Sequence, residues 1–326
     1  MTADQQQRVI VKVPASTANL GPGFDSLGMA LSLFAWIEMG AAERTEIVLH
    51  GEGMDGIPTD KTNLVYKVAQ QVFDEAGVSI PELSISMYSE IPLTRGLGSS
   101  ASAIVGALAA ANRLAGDALS RERLFEIATR LEGHPDNVGA SLYGGIIVAA
   151  WDGERAAAIR LEPHPELEVL VAIPEFHLST DKARHALPAG YSKADAVYNV
   201  GRSSLLVAAL ASGQLEMIRY AMQDRLHQPY RAALIPGMER ILAEATEHGA
   251  LGAALSGAGP TMLALVDRRS SRKQELEQFL LDSLRQHNPA EARWLTPCLE
   301  GPVVTSLDAS QAGTTFMEWI KGEITA

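Results

Sequence analysis

The run Ile91-Pro92-Leu93-Thr94-Arg95-Gly96-Leu97-Gly98-Ser99-Ser100-Ala101-Ser102 concentrates residues that can hold an anion. Glycine has no Cβ, so peptide N–H groups around Gly96 and Gly98 can approach a ligand closely. A helix is expected to open near Ser99, and a helix start presents unpaired N–H groups and a partial positive charge. Ser99 and Ser100 can cap that helix or offer oxygens to a phosphate or a metal. Together these features make a cradle for a polyphosphate. A Gly/Ser helix cap without any ligand fits the same composition. A dinucleotide fingerprint fits the letters, since Gly96, Gly98 and Ala101 match G-x-G-x-x-A and Asp117 follows about 20 residues on. It fails on context, because that acidic residue should end a strand and Asp117 falls between two expected helices. No G-x-x-x-x-G-K-[ST] occurs, which excludes a Walker loop.

Two further segments are rich in glycine. The stretch from Pro14 to Gly28 holds Ser16, Thr17, Asn19 and Asp25 among glycines, a long loop for mere connection. Asp25 and Asn19 could accept from a ligand ammonium and orient a hydroxyl; a plain Gly-Pro-Gly turn is the competing reading. Leu255-Ser256-Gly257-Ala258-Gly259-Pro260-Thr261 joins two apolar runs. Gly257 and Gly259 there suit a hairpin turn, or a second backbone-lined loop closing over phosphates.

These loops need a scaffold. Val9, Val11 and Val13 alternate with Ile10 and Lys12, which predicts a strand ending at Pro14. Strands are expected over 29–39 and 46–49, a helix over 63–76 stopped by Gly77, and a strand carrying Leu83, Ile85 and Met87. The helix over 99–115 is followed by another from Ser120, a turn over 133–139 and a strand over 145–150. The pattern then restarts with a strand over 167–173, helices over 194–211 and 234–248, strands over 251–255 and 262–266, and a helix after Ser270. Strands first, then helices interleaved with short strands, predict an α+β fold with a boundary near residue 160.

Composition narrows the function. The 27 Lys+Arg against 39 Asp+Glu give a net charge of −12, which argues against a general nucleic-acid binder. Apolar runs are too short for a membrane span. The start MTADQQQ lacks the order of a secretory leader. A single cysteine, Cys298, builds neither a disulfide framework nor a cysteine metal cluster, so a cytoplasmic setting is expected.

The three glycine-rich segments, in this order, resemble the three motifs of the GHMP kinases. Asn19-Leu20-Gly21-Pro22-Gly23-Phe24-Asp25-Ser26-Leu27-Gly28 is similar to the homoserine-kinase form of the first motif. So are the segments Glu132-Gly-His134-Pro-Asp136-Asn137, Ser179-Thr180-Asp-Lys-Ala-Arg184 and Asp224-Arg-Leu-His227-Gln-Pro-Tyr-Arg231. The likeness runs over 9–266; beyond Ser270 it thins, and 293–326 reads as nothing in particular.

The resemblance implies a GHMP kinase fold. Residues 1–160 would form a ribosomal protein S5 domain 2-like, ATP-binding N-terminal domain, and 161–326 a ferredoxin-like C-terminal domain. It implies ATP and Mg2+ as cofactors, L-homoserine as the small-molecule substrate, and a homodimer. The loop from Pro92 to Ser102, with Gly257 and Gly259, would hold ATP, and Ser100 and Glu132 the Mg2+, with Glu126 a weaker alternative. A guanidinium clamps a carboxylate with two parallel bonds, which suits Arg184 and Arg231 to that end of the substrate and Asp25 to its ammonium. Asn19, His134, Asn137 and Thr180 would complete the polar shell.

Plainer readings are a surface salt bridge for either arginine, a satisfied core histidine for His134 and His227, and a helix cap near Thr180. In mevalonate kinases an aspartate precedes a Gly-Gly pair by seven residues; here that position, counted from Gly144-Gly145, is Asn137. An amide cannot take a proton. Asn137 is therefore expected to orient the alcohol and Arg184 to assist, with no side-chain base. A non-catalytic regulator on the same fold would be expected to lose Ser100, Glu132 or Gly98, and all three are present.

Overall fold

In the computed structural model the first strand does not stop at its proline. The structure describes residues 8–307 and 313–324, so the polar start read above lies outside the described residues. Strand β1 (Arg8–Ala18) pairs antiparallel with β2 (Leu27–Ala41), and the register shifts between Pro14 and Ala15. Proline has no N–H for a ladder. The pairing on the other edge of β1, made by Val303–Leu307, already ends at Lys12, so the missing donor costs little. The consequence matters for the site: Ser16 and Thr17, expected in a loop, are wholly buried strand residues.

After β3 (Glu46–His50) come α1 (Leu64–Ala76), β4 (Leu83–Ser89), α2 (Ser99–Leu114) and α3 (Arg121–Glu132). Asn63 caps α1 by accepting from Val65 N at 2.8 Å, and Gly77 ends it at φ 69°. The expected turn over 133–139 is instead largely helical: α4 spans Asp136–Tyr143. Asp136 in its first turn favours the helix start. Gly139 lets α4 pack close, because a Cβ there would sit 3.1 Å from both Ile147 and Phe125. Strands β5 (Ile146–Trp151) and β6 (Ala156–Leu161) follow.

The chain then builds β7 (Leu167–Pro174), α5 (Thr180–His185), α6 (Lys193–Ser212), α7 (Ile218–Ala221), α8 (Gln228–Arg231) and α9 (Met238–Glu244). The single helix expected over 234–248 is broken: Gly237, at φ 91°, starts α9 anew, and residues 245–248 tighten into a 3-10 turn. Strands β8 (Gly252–Leu255) and β9 (Met262–Asp267), helix α10 (Lys273–Arg285) and strand β10 (Ala290–Leu295) complete a second sheet of order β10-β7-β9-β8. All its pairs are antiparallel, and this order with its intervening helices is the ferredoxin-like arrangement the resemblance implied.

The tail left unread in the sequence returns to the first sheet. β11 (Val303–Leu307) pairs with β1, giving a seven-stranded sheet whose main path is β11-β1-β2-β4-β3. Helix α11 (Phe316–Ile324) packs Phe316 and Ile320 with Ile10 and Trp36. The α1–α4 side carries the larger core, where α2 lies so near the sheet that a Cβ at Gly106 would be 2.7 Å from Ile37 Cδ1. The α+β class holds. What this scaffold positions is the seam between the two sheets, where β1, the start of α2 and the β8–β9 turn meet.

Candidate active site

Three loops converge because their backbones bond to one another. Ser16 N donates to Leu97 O at 3.2 Å, and Ser256 Oγ donates to Gly96 O at 2.6 Å. Gly257 N donates to Ala18 O at 3.2 Å, while Asn19 Nδ2 donates to Gly257 O at 2.9 Å. Gly96 and Gly98 lie at φ 78° and 73°, the left-handed region that favours glycine. A Cβ on Gly96 would sit 2.2 Å from Ser256 O, and one on Gly98 2.1 Å from Ser16 Oγ. The glycines are thus required by the packing of loop on loop, a reason the sequence did not offer.

Between the loops lies a cleft of about 710 Å³, counted to its open mouth. At one end is the start of α2, where no side chain caps the helix at Gly98. Ser99 and Ser100 line this end, and Ser100 Oγ donates to Glu132 Oε2 at 3.0 Å. Two oxygen-bearing side chains beside a bare helix start suit a hard cation and the phosphates it accompanies. Glu126 is elsewhere, bonded by Arg123 Nη1 at 2.8 Å, and drops out as a ligand.

The other end carries charges of both signs. Arg184 donates two parallel bonds to Asp25, Nη1 to Oδ2 at 3.0 Å and Nη2 to Oδ1 at 2.9 Å. The residues expected to meet a carboxylate and an ammonium therefore meet each other, while both still line the cleft. Arg231 is only 2% exposed. Its Nε donates to Ala183 O and its Nη1 to Gly257 O, each at 3.1 Å, so the guanidinium is oriented before any ligand arrives. Burial, with the nearby Arg184 charge, pulls its pKa down to about 10. Phe24, missed in the sequence, lies beneath both, its ring 5.7 Å from Arg184 Cζ and 5.4 Å from Arg231 Cζ.

The floor is made by α3 and α4. His134 Nδ1 lies 2.6 Å from Asp136 Oδ1, and Asp136 also accepts from Asn137 N at 2.7 Å. Burial alone would lower the His134 pKa, but the carboxylates of Asp136, Asp25 and Glu132 outweigh it and raise it. Asp25, His134 and Asp136 bring their polar atoms within 4.8 Å of one another, a concentration suited to a cation. Asn137 Nδ2 donates to Ser16 Oγ at 3.0 Å, leaving its amide oxygen as an acceptor. Ser179, not Thr180, caps α5 by accepting from Lys182 N at 3.2 Å, and Thr180 faces the cleft.

Not every residue of the glycine–serine loop is in the wall. Thr94, Gly96, Gly98, Ser99 and Ser100 are; Pro92, Leu93, Arg95, Leu97, Ala101 and Ser102 are not. Leu97, Ala101 and Ser102 are buried beneath it. Arg95 reaches across to Glu175 O beyond β7, and burial lowers its pKa. Ala18, Asp136, Leu178 and Ala258 also line the cleft. All four adjoin or lie within segments singled out from the sequence: Ala18 precedes Asn19, Asp136 lies in the Glu132–Asn137 segment, Leu178 precedes Ser179, and Ala258 sits between Gly257 and Gly259, so adjacency was the available signal.

Residues 63–145 match the GHMP kinases N terminal domain and 206–282 the GHMP kinases C terminal domain. The chain is 46% identical over 297 residues to a homoserine kinase of Desulfitobacterium hafniense, covering 91% of this chain and 99% of that one. It is 47% identical over 277 residues to a homoserine kinase of Deinococcus radiodurans, covering 85% and 90%. The crystal structure of homoserine kinase from Cytophaga hutchinsonii superposes with a TM-score of 0.83 at 27% identity, covering 91% of this chain and 97% of that one. A mevalonate kinase of L. major, at 19% identity, TM-score 0.63 and coverage of 88% and 95%, shares the fold alone.

Proposed function

Because the chain belongs to the GHMP kinases and, among them, to the homoserine kinases, we infer that its cleft transfers the γ-phosphate of ATP to L-homoserine. The product is O-phospho-L-homoserine, which places the enzyme in threonine biosynthesis. The observation that carries the reading is the polarity of the cleft: a bare helix start with Ser100 and Glu132 at one end, and a partly exposed Asp25–Arg184 pair beside buried Arg231 at the other.

Homoserine is a zwitterion bearing a primary alcohol. Its ammonium and carboxylate can replace the Asp25–Arg184 pair, the ammonium meeting Asp25 and the carboxylate meeting Arg184 and Arg231. The pair's side chains are 32% and 37% exposed, and ion pairs of that kind are worth only about 0–1 kcal/mol, so opening it costs little. One internal pair is exchanged for two with the substrate. An alcohol without those charges would leave Asp25 and the arginines unmatched, which is how such a site discriminates.

Phosphoryl transfer passes through a loose transition state in which positioning and charge stabilisation carry most of the rate. The N–H groups at the start of α2 would hold the phosphates. Ser100 and Glu132 offer the oxygen donors that Mg2+ prefers, and the ion when bound neutralises phosphate charge. Asn137, anchored through Ser16, would orient the hydroxyl with its free amide oxygen. Asp136 is engaged by His134 and accepts from Asn137 N, and the Asn137 amide cannot take a proton. The hydroxyl proton accordingly passes to a phosphate oxygen.

We further place the enzyme in the cytoplasm, as a homodimer. Among the described residues no helix is long and apolar enough to cross a membrane. A coupled ADP-release assay over L-homoserine, mevalonate and shikimate tests the function. Turnover confined to homoserine is expected; faster turnover of an alcohol that lacks an ammonium, such as mevalonate, would overturn the assignment.

A further inference from the structure

His227 is not part of the cleft wall, yet it is wholly buried and both its ring nitrogens are engaged. Nε2 lies 2.8 Å from the Gly21 carbonyl, which can only accept, so Nε2 carries the proton and donates. Nδ1 lies 3.2 Å from Arg231 Nη1, and a guanidinium can only donate, so Nδ1 accepts. The two partners together demand a neutral ring in a single tautomer. Asp224 Oδ2 stands 3.6 Å from Nε2, and Arg231 and Asp25 are the other charges that act on the ring. Burial pushes its pKa below the ordinary value, Asp224 opposes this and Arg231 reinforces it.

The ring joins the two halves of the substrate end. Gly21 opens the turn that ends in Asp25, and Arg231 sits at the end of α8. Phe24, from the same turn, stacks on His227 with centroids 5.2 Å apart, so the turn is pinned at two points. A Cβ at Gly21 would lie 2.8 Å from Met222 O, which blocks retreat on that side. The imidazole therefore works as a spacer of fixed length between the turn and the guanidinium.

We propose that His227 is a positioning residue for substrate recognition, holding Arg231 and the Asp25 turn at the separation that matches a four-carbon amino-acid alcohol. It touches no reacting atom. The inference rests on the reading of the cleft as an amino-acid-alcohol site.

Steady-state kinetics of the full chain as wild type, His227→Phe and His227→Gln test it, with L-homoserine and the shorter L-serine as acceptors. Glutamine ends in an NH2 donor group and a carbonyl acceptor and can serve both Gly21 and Arg231; phenylalanine can serve neither. His227→Phe should raise the homoserine KM by about tenfold or more, because a buried bond to a charged group is lost. The KM for ATP should stay within about twofold of wild type and the preference for homoserine over serine should shrink, while His227→Gln keeps near-normal values. A folded His227→Phe with unchanged homoserine KM, or a His227→Gln as impaired as His227→Phe, overturns the proposal.

Should His227→Phe fail to fold, His227→Gln and a 15N spectrum of the histidine-labelled wild type still decide. A neutral, Nε2-protonated His227 just below pH 6.5 is expected, and a cation or the other tautomer there refutes the spacer. Failure of the wild type to phosphorylate homoserine would instead sink the reading of the cleft, a separate result because the spectrum does not depend on turnover.

Discussion

Replacing Gly98 with alanine strains the point where the phosphate loop meets β1. The new Cβ would lie 2.1 Å from Ser16 Oγ and 3.0 and 3.1 Å from Ser16 O and N. Ser16 is a wholly buried strand residue, so its backbone cannot swing aside. At φ 73° an alanine also pays the left-handed penalty of roughly 1–2 kcal/mol. Overpacking a buried site adds about 1–3 kcal/mol, for a total of about 2–5.

Ser16→Ala alone removes a hydroxyl that accepts from Asn137 Nδ2 at 3.0 Å and bonds Ser141 Oγ at 3.2 Å, a loss of about 1–2 kcal/mol. Since Ser16 Oγ is the first atom the new Cβ meets, the double variant should be less destabilised than the sum by about 1 kcal/mol. Equilibrium urea unfolding of the four proteins closes the cycle. The ATP KM of Gly98→Ala should rise in parallel, because the start of α2 is displaced. An additive cycle, or a Gly98→Ala as stable as wild type, would refute the claim that close approach of β1 dictates this glycine.

Arg184→Lys keeps the charge but loses the fork, so the homoserine KM should rise about tenfold or more with little change for ATP; an unchanged homoserine KM contradicts the assignment. Asn137→Ala should lower kcat by about 10- to 100-fold in the coupled assay, and full activity there, with Asp136→Asn inactive, would move the catalytic role to Asp136. Glu132→Gln should raise the Mg2+ concentration for half-maximal rate several-fold in a titration; an unaltered titration would remove Glu132 from the metal site. The raised pKa of His134 contributes stability that is fully present below the unfolded value of 6.5 and lost as pH climbs through the folded value. His134→Asn should therefore flatten the decline of urea midpoints above pH 6.5, and a decline as steep as wild type would assign it to another group.

Helices α1, α2 and α3 were legible because their signals are local. Asn63 and Gly77 bracket α1, Ser120 caps α3 by accepting from Arg123 N at 3.2 Å, and apolar residues recur on one face of each. Helix α4 was missed because Gly133, Pro135 and Gly139 spell a turn by propensity, and tertiary packing against Phe125 and Ile147 overrode it. Strands β10 and β11 are mixed in burial and borrow their register from β7 and β1, partners more than a hundred residues away in sequence.

From the sequence alone came the α+β class, the three ordered loops, the kinase resemblance and most residues of the cleft. Each depends on residue types and short spacings, which act over a few neighbours. Only the tertiary structure decided that Asp25 and Arg184 pair with each other, that His227 bridges Gly21 to Arg231, and that Ser16 makes glycine compulsory at position 98. Those outcomes turn on distances of a few ångströms between segments far apart along the chain, and such distances are set by how the sheets and helices pack.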